Sequence, residues 1–96
     1  MWVSWKIDER RITSRVLNLS ASGALIDSQE FVPVGTQLEL LFATKEGEIK
    51  LQAVTRNFQP SKGLGVEFAG MRARELQLVL KLVKRLFTLR TSDAPK

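Results

Sequence analysis

The chain contains no cysteine, no histidine and no tyrosine among its 96 residues. Missing cysteines exclude a disulfide framework and a thiolate nucleophile, and with histidine also missing the usual zinc site is excluded. Histidine is the side chain whose unperturbed pKa lies nearest neutrality, so the commonest general base is absent too. Carboxylates remain, but Asp8, Glu9, Asp27, Glu30, Glu39, Glu46, Glu48, Glu67 and Glu75 are scattered among Lys, Arg and turn residues and read as solvated surface. No enzyme is expected, and no catalytic, metal-ligating or cofactor-holding set is assigned. Long apolar runs are also missing, since none approaches the stretch of about 20 residues that a spanning helix needs. The N-terminal Met1-Trp2-Val3-Ser4-Trp5-Lys6-Ile7-Asp8 alternates and then turns charged, unlike a signal peptide, which makes the cytoplasm the default compartment.

What is present suits one small domain with one core. Hydrophobic residues make up 44% of the chain, enough to build that core, and 26% charged residues is ordinary for a globular protein. The net charge of +5 favours an anionic partner, though a domain can be merely basic.

The first two-thirds reads as short strands. Trp2–Ile7 places Val3, Trp5 and Ile7 on one face by the strand period of two. Asp8-Glu9-Arg10 is a polar turn, Ile12 to Leu19 a second strand and Gly23 to Ile26 a third. Phe31-Val32-Pro33-Val34-Gly35 is a connection. Leu38, Leu40 and Phe42 mark a fourth strand, and Lys45-Glu46-Gly47 closes a hairpin into Ile49, Leu51 and Ala53. After the turn Gln59-Pro60-Ser61-Lys62-Gly63, the residues Leu64, Val66 and Phe68 face inward. Such spacing predicts a small antiparallel barrel or sandwich.

The period then changes. From Arg72 to Phe87, the residues Leu76, Val79, Leu80, Val83, Leu86 and Phe87 follow the three-and-four spacing of one helix face. Leu78, Leu82 and Leu89 lie off that stripe and, with Trp2, are candidate contact surfaces for a partner or a second copy. One unit is expected over residues 1–87, a β-barrel with a C-terminal helix, followed by a disordered polar tail over 88–96.

Asn18-Leu19-Ser20-Ala21-Ser22-Gly23 is the most informative stretch. Asn and Ser side chains bond nearby backbone groups, and Gly permits turn conformations and close approach. The local chemistry admits two readings, a hairpin corner or an edge that offers donors and acceptors to a ligand.

In this order of elements, Asn18-x-Ser20-x-x-Gly23 resembles the second signature of PilZ domains, usually written with Asp or Asn first. Val34-Gly35-Thr36-Gln37-Leu38-Glu39-Leu40 and Gly63-Leu64-Gly65-Val66-Glu67-Phe68 are similar to the family's Gly-led barrel strand and its late Gly-Val-x-Phe strand. The resemblance covers the chain from about Val3 to Phe87. It implies an all-β fold plus helix, a six-stranded antiparallel barrel in a bacterial, cytoplasmic signalling protein. It further implies that Asn18, Ser20 and Gly23 hold a guanine and phosphate of cyclic di-GMP.

One departure stands out. The family's first signature, Arg-x-x-x-Arg, is carried about 20 residues ahead of the second, where its guanidiniums clamp phosphate and stack on guanine. Here Arg11-Ile12-Thr13-Ser14-Arg15 matches literally, with Arg10 beside it, yet Arg15 stands three positions before Asn18. Only Met1 precedes the first strand to carry such a clamp. In a regular strand Arg11 and Arg15 share one face, about 13 Å apart, with Asn18 and Ser20 on the other. One bulge between them would reverse that facing. The arginines are therefore either a solvated basic surface or a rearranged clamp for phosphate, and loss of the clamp would lower affinity by orders of magnitude.

Three functions follow. The first is a cyclic di-GMP receptor with a weakened or lost site, using Asn18, Ser20, Gly23, Arg10, Arg11 and Arg15. The second is a ligand-independent adaptor for a protein partner in a motility, pilus or envelope pathway, with homodimerisation through the helix as its simplest form. The third, less favoured, is nucleic-acid binding by the basic helix with Trp2 and Trp5 as stacking rings.

Overall fold

The computed structural model describes residues 1–45 and 47–92, with side chains described through Phe87. Six strands precede one helix: β1 (Trp2–Ile7), β2 (Arg10–Leu19), β3 (Gly23–Ile26), β4 (Gln37–Thr44), β5 (Gly47–Gln59), β6 (Gly63–Ala69) and α1 (Ala73–Ser92). All pairings are antiparallel, in the order β1-β2-β3-β6-β5-β4, and β4 returns to β1 to close the barrel. Closure removes the free sheet edges that a small β domain otherwise exposes. The expected six-stranded barrel with a C-terminal helix is the observed architecture.

Alternation explains the core. Val3 and Trp5 of β1, Leu38, Leu40 and Phe42 of β4, Ile49, Leu51 and Ala53 of β5, and Leu64, Val66 and Phe68 of β6 are all buried. Val32, in the connection before β4, is buried with them. Trp5 lies wholly inside, and its Nε1 donates to Ser14 Oγ at 3.0 Å, which satisfies the indole in the interior. That removes one of the two rings offered for base stacking. Trp2 is the other and stays 60% exposed.

Two bulges interrupt the alternation. On β2 the inward residues are Ile12, Ser14 and Val16, but the next is Leu19, because Leu17 has no partner between the pairs Val16↔Ile26 and Asn18↔Leu25. On β5 the inward Ala53 and Thr55 give way to Phe58, since Arg56 is unopposed between Thr55↔Val66 and Asn57↔Gly65. One extra residue reverses which side chains face out. The facing expected of a regular β2 is thereby corrected: Asn18 points outward, on the same side of the barrel wall as Arg11 and Arg15.

The helix presents a face that shares Val79, Val83 and Leu86 with the expected one and departs from it at the other positions. Val79 and Leu82 are buried, with Leu78, Val83 and Leu86 packed against the core. Leu76, Leu80 and Phe87, expected inside, are exposed, Leu80 at 42% and Phe87 at 67%. Leu82 and Leu78 therefore are not partner-facing. Two apolar stripes overlap on this helix, and the barrel takes the one that runs through Leu78, Val79, Leu82 and Leu86. The helix also continues to Ser92, past the expected end at Phe87, because no Gly or Pro interrupts Thr88-Leu89-Arg90-Thr91. The Leu89 side chain, residues 93–96 of the expected tail, and Glu46 of the hairpin lie outside what is described. Among the described residues, no helix is long and apolar enough to cross a membrane.

Candidate functional site

Ser20 is the keystone of the β2–β3 corner. Its backbone N–H donates to Gly23 O at 2.9 Å. Its Oγ accepts from the N–H groups of Ser22 at 3.3 Å and Gly23 at 3.2 Å, and lies 3.3 Å from both Ser22 Oγ and Gly23 O. A Ser hydroxyl that binds backbone two and three residues on is ordinary turn chemistry.

Gly23 begins β3 opposite Glu67, and a Cβ there would collide with the carbonyl oxygen of Val66. Glycine is required by the close approach of β3 to β6, independently of any ligand. The hairpin-corner reading thus accounts for two of the three motif positions. Asn18 is different. The bulge at Leu17 turns it outward, it is exposed, and its side chain has no hydrogen-bond partner among the described residues.

Asn18, Ser20, Ser22 and Gly23 form one wall of an open surface pocket of 360 Å³ that reaches across β3 to β6 and β5. The opposite wall is Arg56, Asn57 and Glu67, with Gly65 in the floor. Arg56 and Glu67 are joined in two-point fashion, Nε to Oε2 at 3.2 Å and Nη2 to Oε1 at 3.0 Å. These hydrogen bonds, reinforced by the opposite charges, hold the Glu67 carboxyl below the usual carboxylate range and raise the Arg56 guanidinium. Asn57 lies flat over Gly65, where a Cβ would stand 2.7 Å from Asn57 Oδ1. The pocket therefore offers two amides, Asn18 and Asn57, without side-chain hydrogen-bond partners among the described residues, one hydroxyl cluster and an ion pair. That chemistry suits a polar, planar ligand carrying an anionic group.

The three arginines singled out in the sequence do not line this pocket. Arg10 makes a two-point pair with Glu30 at 3.0 and 3.3 Å, which raises its pKa, first by hydrogen bonding and then by charge. Arg11 reaches the other way, donating to Ser4 Oγ at 3.0 Å and to Glu39 at 3.5 Å. Arg15 is exposed on β2 opposite Trp2. Sharing an outer face with Asn18 does not bring any of the three to the motif's pocket.

Arg56, Asn57 and Glu67 were not marked by motif reasoning. The signal was present in the alternation: Thr55-Arg56-Asn57-Phe58 puts two polar residues between an inward Thr and an inward Phe, a parity break that only a bulge accommodates. Among the described residues, no group of three or more Asp and Glu is placed to hold a metal.

Comparison with known proteins agrees with this geometry. No curated protein matches the chain. A family model described as PilZ domain matches residues 1–85, the whole barrel and most of the helix. The closed barrel, the C-terminal helix and the Asn18 to Gly23 corner thus stand in a chain that belongs to the PilZ domain family, as a signalling module of that type.

Proposed function

We propose that this domain binds cyclic di-GMP at the Asn18 to Gly23 corner, as a cytoplasmic bacterial receptor that acts by binding and not by catalysis. The observation that carries the reading is Asn18. Alone among the motif's three fixed positions its side chain has no hydrogen-bond partner among the described residues, and the β2 bulge leaves it exposed on the outer face, where it lines the same pocket as Arg56 and Glu67. An outward amide there can donate to and accept from a guanine edge. Ser20 and Gly23 support the site by fixing the corner. Affinity is expected to be modest, because Arg10 and Arg11 are paired with Glu30 and Glu39 and none of the three sequence-marked arginines lines the pocket. Titration calorimetry with cyclic di-GMP tests this. Heat of binding for the wild type, reduced by Asn18→Ala with an unchanged melting temperature, supports the reading. No heat and no amide shifts over Asn18 to Gly23 at high micromolar ligand would sink it.

A second reading has its own observation. Trp2, Leu80 and Phe87 leave large apolar side chains in solvent, and a ligand-independent adaptor would use such a surface for a protein partner or for a second copy. Partner recovery that ignores cyclic di-GMP and Asn18→Ala, yet falls with Leu80→Ser and Phe87→Ser, would favour it. Light scattering reads out self-association of the same variants.

A further inference from the structure

We propose that Arg56, in place of the Arg11-x-x-x-Arg15 pair, is the phosphate-contacting cation of the pocket, held in readiness by Glu67. The inference rests on cyclic di-GMP binding at the Asn18 corner and assigns the residue that meets the ligand's anionic part.

Placement comes first. Arg56 is the extra residue of the β5 bulge, the one position between Gln52 and Gln59 with no partner on β6. Bulges re-aim side chains, and this one puts Arg56 beside the pocket wall with its guanidinium exposed. The bulge of β2 does the same for Asn18 on the facing wall. Two separate irregularities in an otherwise regular barrel thus deliver a neutral amide and a cation to one pocket. The arginines of the literal motif arrive at neither wall.

Pre-orientation comes next. Glu67 sits opposite Gly23 on β6 and holds the Arg56 fork at Nε and Nη2. Neither bond uses Nη1, which leaves that nitrogen's donors for an incoming oxygen. Asn57 is next in the chain, flat over Gly65, and adds a second polar contact beside the fork. The cost of this arrangement is electrical. With Arg56 and Glu67 paired, the charged pair lining the pocket is neutral overall, so the phosphate competes with a carboxylate for the same guanidinium. A phosphodiester of a guanine dinucleotide would therefore be held less tightly than by an unpaired arginine.

That competition gives the proposal a signature of opposite signs. Cyclic di-GMP is titrated into wild type, Arg56→Ala, Arg56→Lys, Glu67→Gln and Arg11→Ala/Arg15→Ala, with folding checked by thermal melts. Losing a charge-assisted hydrogen bond is expected to weaken binding by roughly 10- to 100-fold in Arg56→Ala. Arg56→Lys keeps the charge without the fork and should fall between it and wild type. Glu67→Gln removes the competing charge and should strengthen binding several-fold. The double variant should stay close to wild type. A site that binds in wild type and in Arg56→Ala alike, but is lost in Arg11→Ala/Arg15→Ala, overturns the assignment while leaving binding at the Asn18 corner standing. Absence of any binding to wild type overturns both.

Discussion

Gly65 leaves the space that the Asn57 side chain fills: a Cβ on Gly65 would stand 2.7 Å from Asn57 Oδ1 and 3.2 Å from its Nδ2. The glycine of the late Gly-Val-x-Phe strand is thus tied to the pocket, because it lets an amide lie flat on β6. Gly65→Ala should displace the end of a flexible side chain, not backbone. The expected stability change is small, within about 1 kcal/mol. The Asn57 side-chain amide resonances should move and cyclic di-GMP binding should weaken. Two-dimensional amide spectra and a thermal melt of the one variant check both halves.

Gly23→Ala is expected to behave otherwise. There the added methyl meets the backbone carbonyl of Val66, and the β3–β6 pairing has to open to admit it. A loss of about 2–3 kcal/mol in denaturant unfolding is expected, typical of overpacking against atoms that cannot rotate away. An unchanged midpoint would show that β3 and β6 are less closely apposed than described.

Helix orientation is tested by a pair of truncations. Leu82 is 1% exposed and packs on the barrel, so Leu82→Ala should cost about 2–5 kcal/mol. Leu80→Ala, on the solvent face, should stay within about 0.5 kcal/mol. A larger loss for Leu80→Ala than for Leu82→Ala would mean that the helix seats on the stripe expected from periodicity instead.

The Arg56–Glu67 pair makes a prediction in pH. Because Arg56 lowers the folded-state pKa of Glu67, the pair favours folding above the ordinary glutamate range, and that contribution is lost as pH falls through the lowered value. Both groups are exposed, so the stability change itself is small. The carboxyl shift of Glu67 followed by NMR is the direct readout. Its midpoint should lie below that of an ordinary glutamate in wild type and return to it in Arg56→Ala.

The barrel was legible in the residues because period-two alternation in Val3/Trp5, Leu38/Leu40/Phe42 and Leu64/Val66/Phe68 has one physical meaning for a half-buried strand. The helix was legible as a helix, but its facing only in part. The expected stripe of Leu76, Val79, Leu80, Val83, Leu86 and Phe87 is as continuous as the one through Leu78, Val79, Leu82 and Leu86; Val79, Val83 and Leu86 pack inward as expected, and the shape of the barrel decides the rest. At the pocket, Asn18, Ser20 and Gly23 stood out through a local motif. Arg56 and Asn57 show locally only as a parity break in β5, and their sharing of a pocket with Asn18 and Glu67 depends on two bulges and the β3–β6–β5 order, which are long-range facts of the fold. The literal Arg11-x-x-x-Arg15 match left open a solvated surface or a rearranged clamp, because sequence distance from Asn18 says nothing of the side to which Ser4 and Glu39 draw Arg11.

The most direct test of ligand binding at this corner is a residue-resolved amide titration of the wild-type protein with cyclic di-GMP. Saturating shifts confined to Asn18 through Gly23 and to Arg56, Asn57, Gly65 and Glu67 are the expected result. No shifts in either wall of the pocket, or shifts centred on Arg10, Arg11 and Arg15, would contradict it.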